Sequence, residues 1–158
     1  MDISKLEIRI CNFNMKNDLD AVVDLLNVYI KDEMGGGTPI EGLSKLRLVD
    51  GLNNHPTALV LLAGINNVYM GLAVCFVNYS TFMVRKSLNI HDFIVHPKYR
   101  ERGVGKALMS RIVEIATERN CGKITLEVRE DNFKAQMLYN SLGFGECVPP
   151  MKFWTKTL

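Results

Sequence analysis

The hydrophobic pattern changes period repeatedly along the chain, and each change marks an element. Leu6, Ile8 and Ile10 alternate with polar residues, the spacing of a half-buried strand over Leu6–Cys11. Leu19, Val22, Val23, Leu26, Tyr29 and Ile30 then recur at helical spacing, with Asn17 or Asp18 placed to cap that helix. Gly35-Gly36-Gly37-Thr38-Pro39 breaks it into a loop. A second short helix around Leu43–Val49 is compatible with the pattern without being required by it. Two apolar runs follow, Ala58–Ile65 and Val68–Val77, joined by Asn66-Asn67. Asparagine tolerates positive φ, so this pair predicts a two-residue hairpin turn. A membrane helix across both runs is excluded by the central asparagines and by runs far shorter than ~20 residues.

Tyr79–Ser87 reads as a polar connection, and Leu88–Val95 as the next strand, stopped by His96-Pro97. From Val104 the apolar residues Val104, Ala107, Leu108, Ile112, Ile115 and Ala116 mark a long helix with one buried face. Cys121-Gly122 ends it. Lys123–Val128 reads as a strand, and Asn132 caps a helix bearing Ala135, Leu138, Tyr139 and Leu142, closed by Gly143. Phe144–Val148 and Met151–Thr157 are expected as two final strands around Pro149-Pro150. The order is β-α-(α)-β-β-β-α-β-α-β-β. Its central strand–helix–strand unit makes two strands parallel by a right-handed crossover, while the preceding hairpin makes the rest antiparallel. The fold class is α/β with a mixed sheet, and residues 6–158 are read as a single domain.

The 158 residues suffice for a real core, and 47% hydrophobic with 23% charged residues is an ordinary globular composition. A net charge of +2 gives no reason to expect a nucleic-acid partner, and no membrane partner is expected either. Cys11, Cys75, Cys121 and Cys147 are scattered, which indicates neither a zinc site nor a disulfide framework. Reduced thiols and an N-terminus without a signal-peptide pattern fit a cytoplasmic protein.

Candidate chemistry concentrates where the central strand turns into the long helix. Gly103 and Gly105 permit a sharp turn and close ligand approach. Helix-start amides lack intrahelical partners and carry the positive end of the dipole. With Arg100, Arg102 and Lys106 around them, they form an anion site suited to a diphosphate. A Walker loop fails here, because Arg100 stands in the place of its first glycine and Ala107 in the place of its hydroxyl residue. A dinucleotide fingerprint fails at Leu108. What remains, R-x-x-G-x-G after a strand, resembles the acetyl-CoA pyrophosphate loop of the GNAT superfamily of N-acetyltransferases. A second block, Asn132, Ala135, Leu138, Tyr139, Gly143 and Phe144 in N-x-x-A-x-x-L-Y-x-x-x-G-F, resembles that family's other conserved segment. The element order is similar to the GNAT fold along nearly the whole chain.

The resemblance implies a sheet whose two central parallel strands splay apart, with the pantetheine arm of acetyl-CoA bonded to main chain of Phe93, Ile94 and Val95. It implies that amides from Arg100 through Glu101, Arg102, Gly103, Val104 and Gly105 to Lys106 hold the pyrophosphate. Asn132 would bond the cofactor arm, and Tyr139 would sit near the sulfur and protonate the departing thiolate. No metal is implied. From the residues alone, Tyr139 reads equally as core packing and Asn132 as a helix cap. His91 and Asp92 are the candidates for removing the amine proton; strand alternation lets one of them face the cleft. Tyr79-Ser-Thr-Phe82 with His91-Asp92-Phe93 looks like the diamine-acetyltransferase branch, which commonly carries Glu-Asp where this chain has His91-Asp92. Asp32, Glu33 and Glu41 are alternative sources of negative charge. The expected activity is acetyl transfer to a primary amine of a small molecule by direct attack in a ternary complex. Acetylation of a protein N-terminus or lysine, and a non-catalytic CoA-binding regulator, are the alternatives. A homodimer through the terminal strands is a further expectation.

Overall fold

The computed structural model describes residues 2–158. Five strands form one sheet in the order β1-β2-β3-β4-β5: Glu7–Ile10, Ala58–Ile65, Val68–Ser80, Arg85–Val95 and Lys123–Leu126. The first four pair antiparallel and β4 pairs parallel with β5, the mixed α/β sheet expected from the sequence. Asn66 and Asn67 take positive φ (49° and 63°) at the β2–β3 turn, as their side chains allow.

Helices cover both faces. Helix α3 (Val104–Glu118) places Val104, Leu108, Met109, Ile112 and Ile115 against Leu59, Leu61, Ala63, Ala73, Leu88 and Ile90. Helix α1 (Lys16–Ile30) packs Val22, Leu25 and Leu26 against Val60, Leu62, Leu72, Val74 and Ile94. The even and odd positions of β2 thus feed opposite cores, which is why its run reads as unbroken hydrophobicity. Helix α2 (Leu43–Asn54) adds Leu48 and Leu52 to the α1 side, and α4 (Phe133–Asn140) adds Leu138 and Tyr139 to the α3 side.

Four expectations change. Helix α1 begins at Lys16 after Met15, with no side-chain cap. Asp18, a proposed cap, is instead fully buried and takes both Arg9 Nη1 (2.5 Å) and Nη2 (2.6 Å), the Tyr69 hydroxyl (2.6 Å) and the Asn12 N–H (2.8 Å). A guanidinium and two further donors satisfy a buried carboxylate better than one helix amide does. The polar stretch Tyr79–Ser87 is mostly strand, because β3 and β4 continue their ladder to Ser80↔Arg85. The strand read over Lys123–Val128 ends at Leu126. The terminal strands Phe144–Val148 and Met151–Thr157 do not form: 144–158 is irregular, and Phe153 and Trp154 are about four-fifths exposed (78% and 84%). Apolar content gives these residues strand propensity, but a strand also needs a partner ladder, and none pairs with the outer side of β5. The homodimer expectation loses the strands it rested on.

Candidate active site

The site begins where β4 outruns β5. Their parallel pairing covers Ser87↔Lys123 to Ile90↔Leu126 and stops, while β4 continues to Val95 alongside β3. Beyond Ile90 one edge of β4 is therefore open. The His96 N–H donates to the Met70 carbonyl (2.8 Å), which fixes which residues of β4 bond to β3. Antiparallel alternation gives Ile94 and Asp92 main-chain bonds to β3, and turns the amide and carbonyl of Phe93 and Val95 into the gap. Ile94 was expected among the main-chain partners of a ligand; its polar groups are committed to β3, and its side chain is buried on the α1 face. The open main chain belongs to Phe93 and Val95.

A bulge sits at the same point. Val74 opposes Asp92, and the next residue of β3, Cys75, opposes Ile90, so His91 is the extra residue. It inverts the facing of everything downstream: Leu88 and Ile90 point to the α3 side, and after the bulge so do Phe93 and Val95. The expectation that His91 and Asp92 point to opposite sides assumed regular alternation, and the bulge removes it. His91 is exposed and stands edge-on to Phe76 (centroids 5.6 Å apart), which packs in the α1-side cluster. Asp92 is half-buried; burial raises its carboxyl above the usual range, opposed by the charge of His91. It acts electrostatically on Tyr29 at the end of α1.

The opposite wall of the gap is α4. Tyr139 is 8% exposed and lies edge-on to Phe93 (6.1 Å) and tilted against Phe144 (6.1 Å). The packing role and the chemical role considered for it occupy different parts of the side chain. The ring is core. Among the described residues the hydroxyl has no protein partner, yet no buried side-chain polar atom is left unsatisfied, so the oxygen accounts for part of the residual exposure. Burial, and secondarily Tyr29, push the hydroxyl up to about 12, so it stays protonated at neutral pH. Asn132 caps α4 through its carbonyl oxygen, which accepts from the Ala135 N–H (3.2 Å), leaving its NH2 group available.

At the end of β4 the turn into α3 has the form of an anion site. Gly103 is the N-cap of α3 in left-handed conformation (φ 85°), and no side chain caps the helix. Gly105 lets the first turn approach the gap: a Cβ there would meet Leu138 at 3.2 Å and Val95 at 3.4 Å. Val104 is buried and anchors the turn. Glu101 holds a positive φ (60°) and joins Lys134 of α4 (2.7 Å). Arg102 and Lys106 are exposed and, among the described residues, form no ion pair. Arg100 is committed elsewhere. Its Nε donates to the Val95 carbonyl (3.0 Å) and its Nη2 meets Asp32 (2.7 Å).

Sequence reasoning read Tyr29 as a core residue and did not single out Arg129. Arg129 follows β5, binds Asp131 through two bonds (2.9 and 2.6 Å), and reaches the Glu33 carbonyl (3.4 Å). The signal in the sequence was position: Tyr29 ends a helix beside the glycine loop, and Arg129 follows a strand leading to Asn132. Of the acidic candidates, Asp32 pairs with Arg100, whereas Glu33 and Glu41 are exposed.

The model of the acetyltransferase (GNAT) family matches residues 25–144, which include the gap, the turn and Tyr139. An uncharacterised N-acetyltransferase of Archaeoglobus fulgidus is 31% identical over 133 residues, covering 80% of this chain and 86% of that one. The thialysine N-epsilon-acetyltransferase of Bos taurus is 31% identical over 74 residues, 47% of this chain and 43% of its own length. A solved aminoglycoside acetyltransferase from an uncultured soil metagenomic sample superposes with a TM-score of 0.83 over 99% of both chains, at 19% identity. With its unpaired strand end, bulge and uncapped helix turn all inside the matched region, the chain belongs to the GNAT family of acetyltransferases and is an acyltransferase enzyme.

Proposed function

We propose that this enzyme transfers the acetyl group of acetyl-CoA to a primary amine of a small molecule, by direct attack while both substrates are bound. The observation that carries the reading is the Tyr139 hydroxyl, protonated and without a protein partner, beside a strand end whose main chain is unpaired. When bound, acetyl-CoA supplies the activated thioester carbonyl. The residues present fit it: uncapped amides of Gly103 to Lys106 for the diphosphate, the open polar groups of Phe93 and Val95 for the amide-bearing arm, and the Asn132 NH2 group beside them. Gly105 leaves the passage clear where any larger residue would press on Val95 and Leu138.

The proton inventory assigns the remaining roles. An alkylammonium at neutral pH lies roughly 4–5 kcal/mol below its nucleophilic neutral form. Asp92 and His91, adjacent at the bulge, receive that proton directly or through water, and the Asp92 carboxylate favours a cationic acceptor. Tyr139 donates to the sulfur as negative charge develops there. A hydroxyl with pKa about 12 is a weak acid for this task. It therefore acts first by hydrogen bonding, and its proton passes only as the charge on sulfur becomes full.

An amine panel of polyamines, amino acids, aminoglycosides and N-terminal peptides, with thiol release as readout, tests the proposal. Turnover on a small amine supports it. Turnover confined to peptides selects the protein-acetylating alternative, which is favoured by 31% identity over 77 residues to an Escherichia coli ribosomal protein bS18 alanine N-acetyltransferase covering 52% of that relative. CoA binding without turnover on any member would indicate a CoA-binding regulator and overturn the catalytic reading.

A further inference from the structure

Arg100 occupies a place that the proposed cofactor also needs. Its Nε donates to the Val95 carbonyl, one of the main-chain groups aimed into the gap, and its Nη2 pairs with Asp32 on the segment that follows α1. That segment is fastened on both sides of the splay. Asp32 holds it to the end of β4 through Arg100, and the Glu33 carbonyl holds it beyond β5 through Arg129. Its near end is set by the Asp32 N–H on the Tyr29 carbonyl (2.9 Å), and its far end by two bonds between Asn27 and Ile40 (2.7 and 3.1 Å). Between these ends, Gly36 and Gly37 take φ values of 150° and 107°, and a Cβ on either would meet nothing within 4 Å. The segment has anchored ends, glycine conformations between them, and an ion pair across the mouth of the gap.

We propose that the Arg100–Asp32 pair is a latch released by the cofactor. Rested on the acetyl-CoA reading above, the exchange is one of anions. The diphosphate at the α3 turn competes with Asp32 for the Arg100 guanidinium, and the arm competes with it for the Val95 carbonyl. Arg100 turns to the diphosphate, Asp32 is set free, and the strap 32–37 lifts from the side on which the amine must enter. Asp32 is a positioning residue acting through Arg100. Its liberated carboxylate then lies near Asp92 and Tyr29, where a cationic amine would be received. Cofactor binding thereby precedes and prepares acceptor binding.

The test measures coenzyme A binding to the full chain by calorimetry, together with amide hydrogen exchange across 31–40. Asp32→Asn keeps the carbonyl that accepts from the Met34 N–H (3.0 Å), so the local turn survives. Removing the competing charge should tighten coenzyme A binding about two- to fivefold, the worth of a partly exposed ion pair. Arg100→Gln should weaken binding, and adding Asp32→Asn to it should have no effect. In the wild type, coenzyme A should speed exchange at Met34 and Gly35; in Asp32→Asn exchange should be fast from the start. Unchanged or weaker binding in Asp32→Asn, or slower exchange of 31–40 with coenzyme A, would overturn the latch while leaving the cofactor reading intact. Failure of the wild-type chain to bind coenzyme A at all would overturn both.

Discussion

Replacing Tyr139 by Phe separates the two functions of that side chain. The ring contributes contacts to Phe93 and Phe144, both at 6.1 Å between centroids, and these survive the change. The hydroxyl has no protein partner to lose, so no buried donor or acceptor is orphaned, and stability should shift by less than ~0.5–1 kcal/mol. Catalysis should respond differently. Removing a positioned donor to a developing negative charge costs about 10²- to 10⁴-fold in turnover, or roughly 3–5 kcal/mol of transition-state stabilisation. With the hydroxyl held at about 12, it is fully protonated from pH 6 to 9, so the loss should be the same across that range. The assay is thiol release on the best amine of the panel, with coenzyme A affinity by calorimetry and thermal melting as controls. Turnover within about twofold of wild type would refute the donor assignment, as would a defect residing wholly in cofactor affinity.

Gly103→Asp should abolish coenzyme A binding by placing a carboxylate at the anion site. Gly103→Asn, which tolerates the same φ of 85°, should fold with nearly unchanged stability and lose less affinity; equal affinities in calorimetry would reject the site. Asp18→Asn breaks the buried pair with Arg9 and should cost about 3 kcal/mol in urea unfolding at pH 7. Because the Arg9 guanidinium holds the Asp18 carboxyl well below the usual range, its stabilisation is present at neutral pH and fades below about pH 4; the difference between variant and wild type should shrink on acidification, and a pH-independent difference would argue against the charge as its source. Asp92→Asn should remove an acid limb of kcat/KM lying above the usual carboxylate range, since burial raises that group; a profile with its limb intact would move the proton-accepting role to His91 alone.

What the sequence made legible was whatever local chemistry decides. The Asn66-Asn67 turn, the two cores alternating along Ala58–Ile65 and the glycine start of α3 all follow from φ preferences and period. The two motif blocks located Tyr139, Asn132 and the α3 turn. What escaped was decided by partners distant in sequence. Asp18 looked like a cap because Arg9 and Tyr69 cannot be seen beside it in one dimension. Phe153 and Trp154 looked like strand residues because nothing local says that no strand will pair with them. Arg100 looked like a phosphate ligand, and its commitment to Asp32 spans 68 positions. The phase change at His91 has no compositional marker, since a bulge is a property of two strands together.

That phase change makes β4 two half-strands out of step. Upstream of His91 the even-numbered residues line the α3 core; downstream the odd-numbered ones do. Deleting His91 would leave the first half untouched and rotate the second by half a pleat. Phe93 and Val95 would be carried away from Tyr139, and Asp92 and Ile94 driven beneath α3. Substitution at position 91 is thus cheap for the sheet, while a change of length there is ruinous for the gap, so this strand can vary its chemistry at the bulge only by exchanging side chains and never by changing its count.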